Sequence, residues 1–403
     1  MTAAIVTTIA RVRTNRKGYA HGDFMTYYAW GAEYQHGEEL WVATTKRGEI
    51  IPGLRRARFC NYTPAFIELF APLTRLTQKA AFWIWISLQL LSLAAAMILL
   101  ARNCDPPLDL ATTAVVVALS YLFRPVAALL DYAQWAPLLL LLITISWVCA
   151  RRDKPWLAGL SLAAAALLKA FPGALVGYFV FRRRWRETGW FAAFLILGII
   201  VTDPRNWIEY LLHGTPAYLP VLANLNISVL AYSAVTISRW LSTGSPSEVL
   251  AMTAALTAAG DVAIVAVAAF ITAHAGERAE SQGLAFALWA MAALLLSPLT
   301  GSYDLVLVLP AYLFAYVNAA WIVQNTEQTA SPALLVGVIL IVAAGLHDFT
   351  GMPGIHPRVV ALVLQYLGAA LILKARTNAQ CGESAPPLTA PRPLSDAPGS
   401  PAQ

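Results

Sequence analysis

The stretch Ala80–Ala101, AAFWIWISLQLLSLAAAMILLA, decides the fold. It holds no acidic or basic residue, and a helix of that length spans the roughly 30 Å hydrocarbon core of a bilayer. Similar apolar runs recur along the 403-residue chain, which is 58% hydrophobic and only 12% charged, with a mean hydropathy of +0.60. Soluble domains carry about 25% charge, so the main solvent of this chain is lipid. Backbone polar groups in hydrocarbon must be satisfied within their own segment, and the alternating segments of a barrel are absent. The runs are therefore helices.

Further helices are expected near Leu110–Leu130, Trp135–Ala150, Trp156–Leu168, Gly173–Phe181, Gly189–Thr202, Val249–Thr272, Gln282–Ser297, Leu305–Val323, Ala333–Leu346 and Val359–Leu373. The fold class is thus all-α, a polytopic membrane bundle of about 11 transmembrane helices, several of them short enough to be broken helices lining a cavity. Residues 1–79 form an N-terminal segment and first extracytoplasmic loop with interfacial helices, among them the short apolar run Phe66–Leu76. Residues 80–375 form the transmembrane domain, interrupted by a second extracytoplasmic loop at 203–248, and the Pro-rich residues 376–403 form a disordered cytoplasmic tail.

The net charge of +6 is concentrated in clusters that flank apolar segments: Arg151, Arg152 and Lys154; Arg182, Arg183, Arg184 and Arg186; Lys374 and Arg376. All fall on the cytoplasmic side if residue 23 lies outside, so topology accounts for them and no nucleic-acid partner is expected. Lys46, Arg47, Arg55, Arg56, Arg58 and the basic N-terminus oppose this orientation, and a first helix missing ahead of Met1 would reconcile both. The four cysteines show no CxxC spacing, and His213, His347 and His356 show no ligand spacing, so neither a disulfide framework nor a metal site is expected.

Chemistry is concentrated in a few polar groups. GDFMTYYAWGAEYQHGEEL, Gly22–Leu40, places Asp23 ahead of Phe24, Tyr27, Tyr28, Trp30 and Tyr34. Trp and Tyr settle where one end is apolar and the other wet, which suggests a site at the lipid boundary. The plainer reading is an N-capping Asp that starts an interfacial helix. Lys169 interrupts the apolar ALLKAFPGAL beside the helix breaker Pro172. A lysine at a helix break suits an anionic ligand such as a phosphate; the alternative is a lysine snorkelling to the interface. Arg124, Asp131 and Gln134 lie together in YLFRPVAALLDYAQW, where Arg124 and Asp131 either neutralise each other or meet a ligand. Asp261 stands mid-span in TAAGDVAIV, as a proton-coupling group or as a hydrogen-bonded buried carboxyl.

The order of these motifs resembles glycosyltransferase family 87, polytopic enzymes of the GT-C superfamily. GDFMTYYAWGAEYQHGEELW is similar to the family's DF-x-x-Y-Y-x-A opening and NYTPAFIELFAPL to its YPP…PL stretch. RPVAALLDYAQW matches a segment ending in Gly-Gln-x-Asn, of which Gln134 is kept. LAGLSLAAAALLKAFPGALVGYFVFRRRWR is similar to AG…LK-x-x-P…RRRW, and NLNISVLA, with Asn226, to an N-x-S region. SPLTGSYDLVLVLP resembles SP…W-x-H-Y…LP, with Gly301 and Tyr303 in place of Trp and His.

The resemblance implies a GT-C enzyme of the plasma membrane, multi-pass, with its site facing outside. It would move a hexose, with mannose as the expected sugar, from a polyprenyl-phosphate donor to the hydroxyl of a lipid or glycan acceptor with inversion. Asp23 takes the role of catalytic base, and Lys169 with Arg124 that of donor-phosphate contact. Tyr27, Tyr28, Tyr62, Gln134, Asn226 and Tyr303 are the expected donor or acceptor contacts; the aromatics otherwise anchor the loop. No cofactor or metal is expected, the lipid-linked sugar being a substrate. The alternatives are a transporter or lipid flippase working through Asp261 and Lys169, or a non-catalytic homologue that binds a polyprenyl lipid.

Overall fold

The computed structural model describes residues 23–38, 40–41, 60, 62–104, 107–214, 238, 241, 246–275, 279–297, 301, 303–325, 334–342 and 357–383. All regular secondary structure in them is helical. Helix α1 (Asp23–Gln35) and α2 (Pro64–Phe70), which continues as a 3-10 turn over Ala71–Arg75, precede the first long helix, α3 (Gln78–Arg102). Then come α4 (Leu110–Leu122), α5 (Arg124–Tyr132), α6 (Ala136–Arg151) and α7 (Pro155–Leu168). A 3-10 turn at Phe171–Leu175 leads into α8 (Val176–Phe181) and α9 (Trp185–Val201), followed by α10 (Pro204–Glu209) with a π turn over Tyr210–Gly214. The C-terminal part holds α11 (Pro246–His274), α12 (Ala279–Leu296), a 3-10 turn at Asp304–Val308 running into α13 (Leu309–Asn325), a helix over residues 334–342, and a last helix, Pro357–Glu383.

Helix positions follow the apolar runs, but length does not. Gln78–Arg102 and Ala251–His274 are long and apolar enough to cross a membrane alone, and two bent pairs raise the number to four. Six shorter apolar helices accompany them, so length and composition among the described residues do not by themselves reach the expected 11 spans. The expected span Leu110–Leu130 is one of the bent pairs, broken at Phe123 with a 55° bend. Pro125 lacks an N–H and its ring would strike the carbonyl four residues back, so a straight helix cannot pass through it. Beyond α9 the chain turns by 102°. Asp203 sits there at φ 55°, its side chain accepting from Arg205 N, with Pro204 starting α10. The polar segment expected from residue 203 therefore begins helically. At the other end, the last helix runs through Glu383, past the expected domain boundary at 375.

Helix α9 packs along α7, and α6 packs on both α7 and α3. The α7–α9 contact is close because Gly159 has no side chain: a Cβ there would lie 2.6 Å from the backbone N of Phe191 and from Cβ of Trp190. The basic clusters hold helix ends. Arg184 Nη1 donates to Ala150 O at the end of α6 (2.6 Å), Arg151 donates to Asn103 O at the end of α3, and Arg182 donates to Ala275 O (2.7 Å). Each supplies a cation and a donor to carbonyls that lack an intrahelical partner.

The first loop is built from aromatics. Phe24, Tyr27 and Trp30 lie on the buried face of α1, which packs against α2 and its 3-10 extension. Tyr27 meets Phe66 and Tyr62 edge-on at centroid distances of 5.0 and 4.8 Å, and Phe70 meets Trp85 of α3 at 5.1 Å. Such pairs add about 0.5–1.5 kcal/mol each beyond the area they bury. Together they clamp α1 and α2 to α3.

Candidate active site

The clamp determines where Asp23 goes. Asp23 is the first residue of α1 and precedes Tyr27 by four, so both side chains project from one helix face. Asp23 Oδ2 accepts a hydrogen bond from Gln134 Nε2. Gln134 follows the left-handed Ala133 (φ 52°) that ends α5, and Trp85 Nε1 of α3 holds that turn by donating to Ala133 O at 2.8 Å. The amide is buried, and its own Oε1 has no hydrogen-bonding partner among the described residues.

Lys169 stands at the break between α7 and the Phe171–Leu175 turn, in extended backbone (φ −148°, ψ 124°). The break is fixed from the first loop: Thr63 Oγ1 donates to Leu168 O at 2.8 Å. Lys169 Nζ donates to Asp304 Oδ1 at 2.7 Å, while Oδ2 of the same carboxylate accepts from Gly301 N at 2.9 Å. Asp304 is fully buried, and the Lys169 side chain is 18% exposed. The ammonium also lies 5.2 Å from the Phe171 ring and 5.5 Å from that of Tyr303. Tyr303 in turn packs on Tyr132 at the end of α5 (5.9 Å). Its ring folds back over Gly301, where a Cβ would lie 2.6 Å from Tyr303 Cε2.

Electrostatics join the two pairs into one site. Burial raises the Asp23 carboxyl above its ordinary value, Gln134 and the nearby Lys169 charge pull it back down, and Asp304 pushes it up again. Burial also pushes the Tyr27 and Tyr303 phenols up, with Asp23 among the charges that each of them feels. Both rings therefore keep their O–H at neutral pH.

The structure sorts the expected residues. Asp23, Gln134, Lys169 and Tyr303 share the site, and Tyr27 and Tyr62 form its inner wall, their hydroxyls 3.1 Å apart. Tyr28 anchors the loop, donating to the carbonyls of Thr74 (3.1 Å) and Leu76 (2.7 Å). Arg124 opens α5, exposed and about 12 Å of helical rise from Tyr132, and among the described residues it makes no ion pair with the site. Asn226 lies outside the described residues, as do His347 and His356. Asp261 sits half-buried on α11, and among the described residues it has no contact with Lys169. Sequence reasoning missed Asp304. The signal was an ionisable residue directly ahead of the apolar run LVLVLP, where lipid makes a charge costly.

A membrane protein, helical throughout its described residues, with a buried carboxylate paired to a helix-break lysine is the class that the fold and site define. A model of glycosyltransferase family 87 matches residues 59–298, and the chain belongs to that family. A relative from Corynebacterium glutamicum, described as an alpha-(1->3)-arabinofuranosyltransferase, is 29% identical over 160 residues, covering 39% of this chain. The match spans 37% of that relative's length. No solved structure matches the chain.

Proposed function

We propose that this protein is a membrane glycosyltransferase that moves a sugar from a polyprenyl-phosphate donor to an acceptor hydroxyl on a lipid or glycan, with inversion, at the extracytoplasmic face of the plasma membrane. The observation that carries the reading is the Asp23–Gln134 pair within electrostatic reach of the Lys169–Asp304 pair. One member of each pair suits one end of such a reaction. Asp23 accepts the proton of the acceptor hydroxyl as its oxygen attacks the anomeric carbon. The bond from that carbon to the phosphate oxygen breaks as the new bond forms, and the electron pair leaves with the phosphate. The Lys169 ammonium meets the charge developing there. Gln134 holds the Asp23 carboxylate with Nε2 and offers Oε1 to a ligand hydroxyl.

The short and bent helices suit a bundle of about 11 crossings in which the breaks line the donor cavity. The sugar is the open point. The relative's description favours arabinofuranose as the first donor to test, and mannose is the hexose alternative. The Lys169–Asp304 pair also bears on the transporter reading, because it occupies the lysine that reading would couple to Asp261.

The test is transfer of radiolabel from polyprenyl-phosphate arabinofuranose and polyprenyl-phosphate mannose to a panel of lipid and glycan acceptors, using wild type and Asp23→Asn in membranes. Product formed by wild type and lost in the variant supports the reading. Full transfer by a folded Asp23→Asn protein removes Asp23 as base, and no product from any intact donor overturns the enzyme reading.

A further inference from the structure

Lys169 is not a free cation waiting for a phosphate. Its ammonium is 2.7 Å from a carboxylate that is itself fully buried and has both oxygens occupied, one by Lys169 and one by Gly301 N. The Asp304 carboxylate lies directly against the ammonium, so the lysine's field is partly cancelled where it stands. The two residues come from breaks in different helices. Lys169 ends α7, held through Thr63 and Leu168 O, and Asp304 begins the turn before α13, held by Gly301 N. The ion pair therefore fixes Nζ from both sides, against the rings of Phe171 and Tyr303.

We infer that Asp304 is the positioning residue for Lys169, aiming its ammonium at the donor phosphate and, by its own charge, keeping that phosphate from binding too tightly to leave. The inference rests on the proposed donor class. An anion arriving at Nζ is drawn by the lysine and repelled by the carboxylate behind it. Geometry and charge then act in opposite directions on binding and turnover. Removing the carboxylate's charge relieves the repulsion and strengthens anion binding, while the loosened ammonium no longer meets the leaving oxygen squarely. A residue that merely holds the fold together would weaken binding and turnover alike.

The experiment titrates polyprenyl monophosphate, the spent donor, against full-length wild type, Asp304→Asn and Asp304→Glu in nanodiscs, alongside kcat and KM for transfer. Asn keeps the shape and can still accept from Gly301 N; it is expected to bind the phosphate lipid about tenfold tighter while kcat falls. Glu restores the charge, so its affinity should return to the wild-type value while kcat stays low, because the longer side chain displaces Nζ. Unchanged or weaker binding by a folded Asp304→Asn protein overturns the inference. Should the Asn variant not fold, Glu decides alone: weaker binding, or full kcat, overturns it. Wild type that binds no phosphate lipid defeats the donor class, and this inference with it. Wild type that binds, without tightening in Asp304→Asn, defeats the inference only.

Discussion

Lys169 Nζ and Asp304 Oδ1 are 2.7 Å apart although 135 positions separate the two residues in the chain. Lys169 follows the last turn of α7 and Asp304 opens the turn into α13, so the pair joins two helix breaks. Breaking it from either side leaves an unequal situation, because Asp304 is fully buried and Lys169 partly open.

Lys169→Gln should therefore destabilise the fold as well as stop transfer. An uncompensated buried carboxylate costs about 3–5 kcal/mol. The double variant Lys169→Gln with Asp304→Asn removes both charges and should regain most of that stability without regaining activity. Thermal unfolding in detergent, read beside transfer, checks this; a double variant as unstable as the single one would contradict it.

The pH profile should report Asp23. Its carboxyl is held above the ordinary value of 3.8, chiefly by burial, so the acid limb of the rate should lie above that of an ordinary aspartate. Gln134→Leu removes the hydrogen bond that favours the anion, so the acid limb should move higher and the rate should fall. An acid limb that stays in place in Gln134→Leu would show that another group sets it.

Stability at neutral pH should follow the same sign. A carboxyl raised in the folded state contributes stability that is complete below its unfolded value and lost as pH rises through the folded one. At pH 7 the charge on the half-buried Asp23 is thus a cost, and Asp23→Asn should unfold no earlier than wild type. A clearly lower melting temperature for the variant at pH 7 would contradict this sign.

Thr63→Val tests how the helix break is held. Losing the bond from Thr63 Oγ1 to Leu168 O, together with the bond that the same oxygen accepts from Phe66 N in capping α2, should cost about 1–2 kcal/mol. The larger effect should be on kcat, through the position of Lys169. Comparing kcat with melting temperature separates the two.

Gly159→Leu should be among the most damaging changes far from the site. Its Cβ alone would lie 2.6 Å from the Phe191 backbone, which cannot yield as a side chain would. Overpacking of this kind costs about 1–3 kcal/mol or more. The expected outcome is loss of folded protein, read by size-exclusion chromatography in detergent.

What the sequence determined by itself was the solvent, the element type and the places where helices stop. An uncharged run such as Ala80–Ala101 has one way to satisfy its backbone in lipid, and Pro125, Pro172 and Pro204 remove donors wherever they fall. Asp23, Gln134 and Lys169 were legible too, being polar groups in or beside apolar runs. The tertiary structure decided what those residues face. A periodicity records which side of a helix is apolar but not which distant segment covers it, so Asp304 behind Lys169, Thr63 on Leu168 and Tyr28 turned to the Thr74 and Leu76 carbonyls had no local signature. Arg124 and Gln134 are ten positions apart in one motif, YLFRPVAALLDYAQW, and the 55° bend with the left-handed turn at Ala133 sends only Gln134 to Asp23. Burial and ion pairing depend on chain segments meeting in space, and local sequence does not encode that.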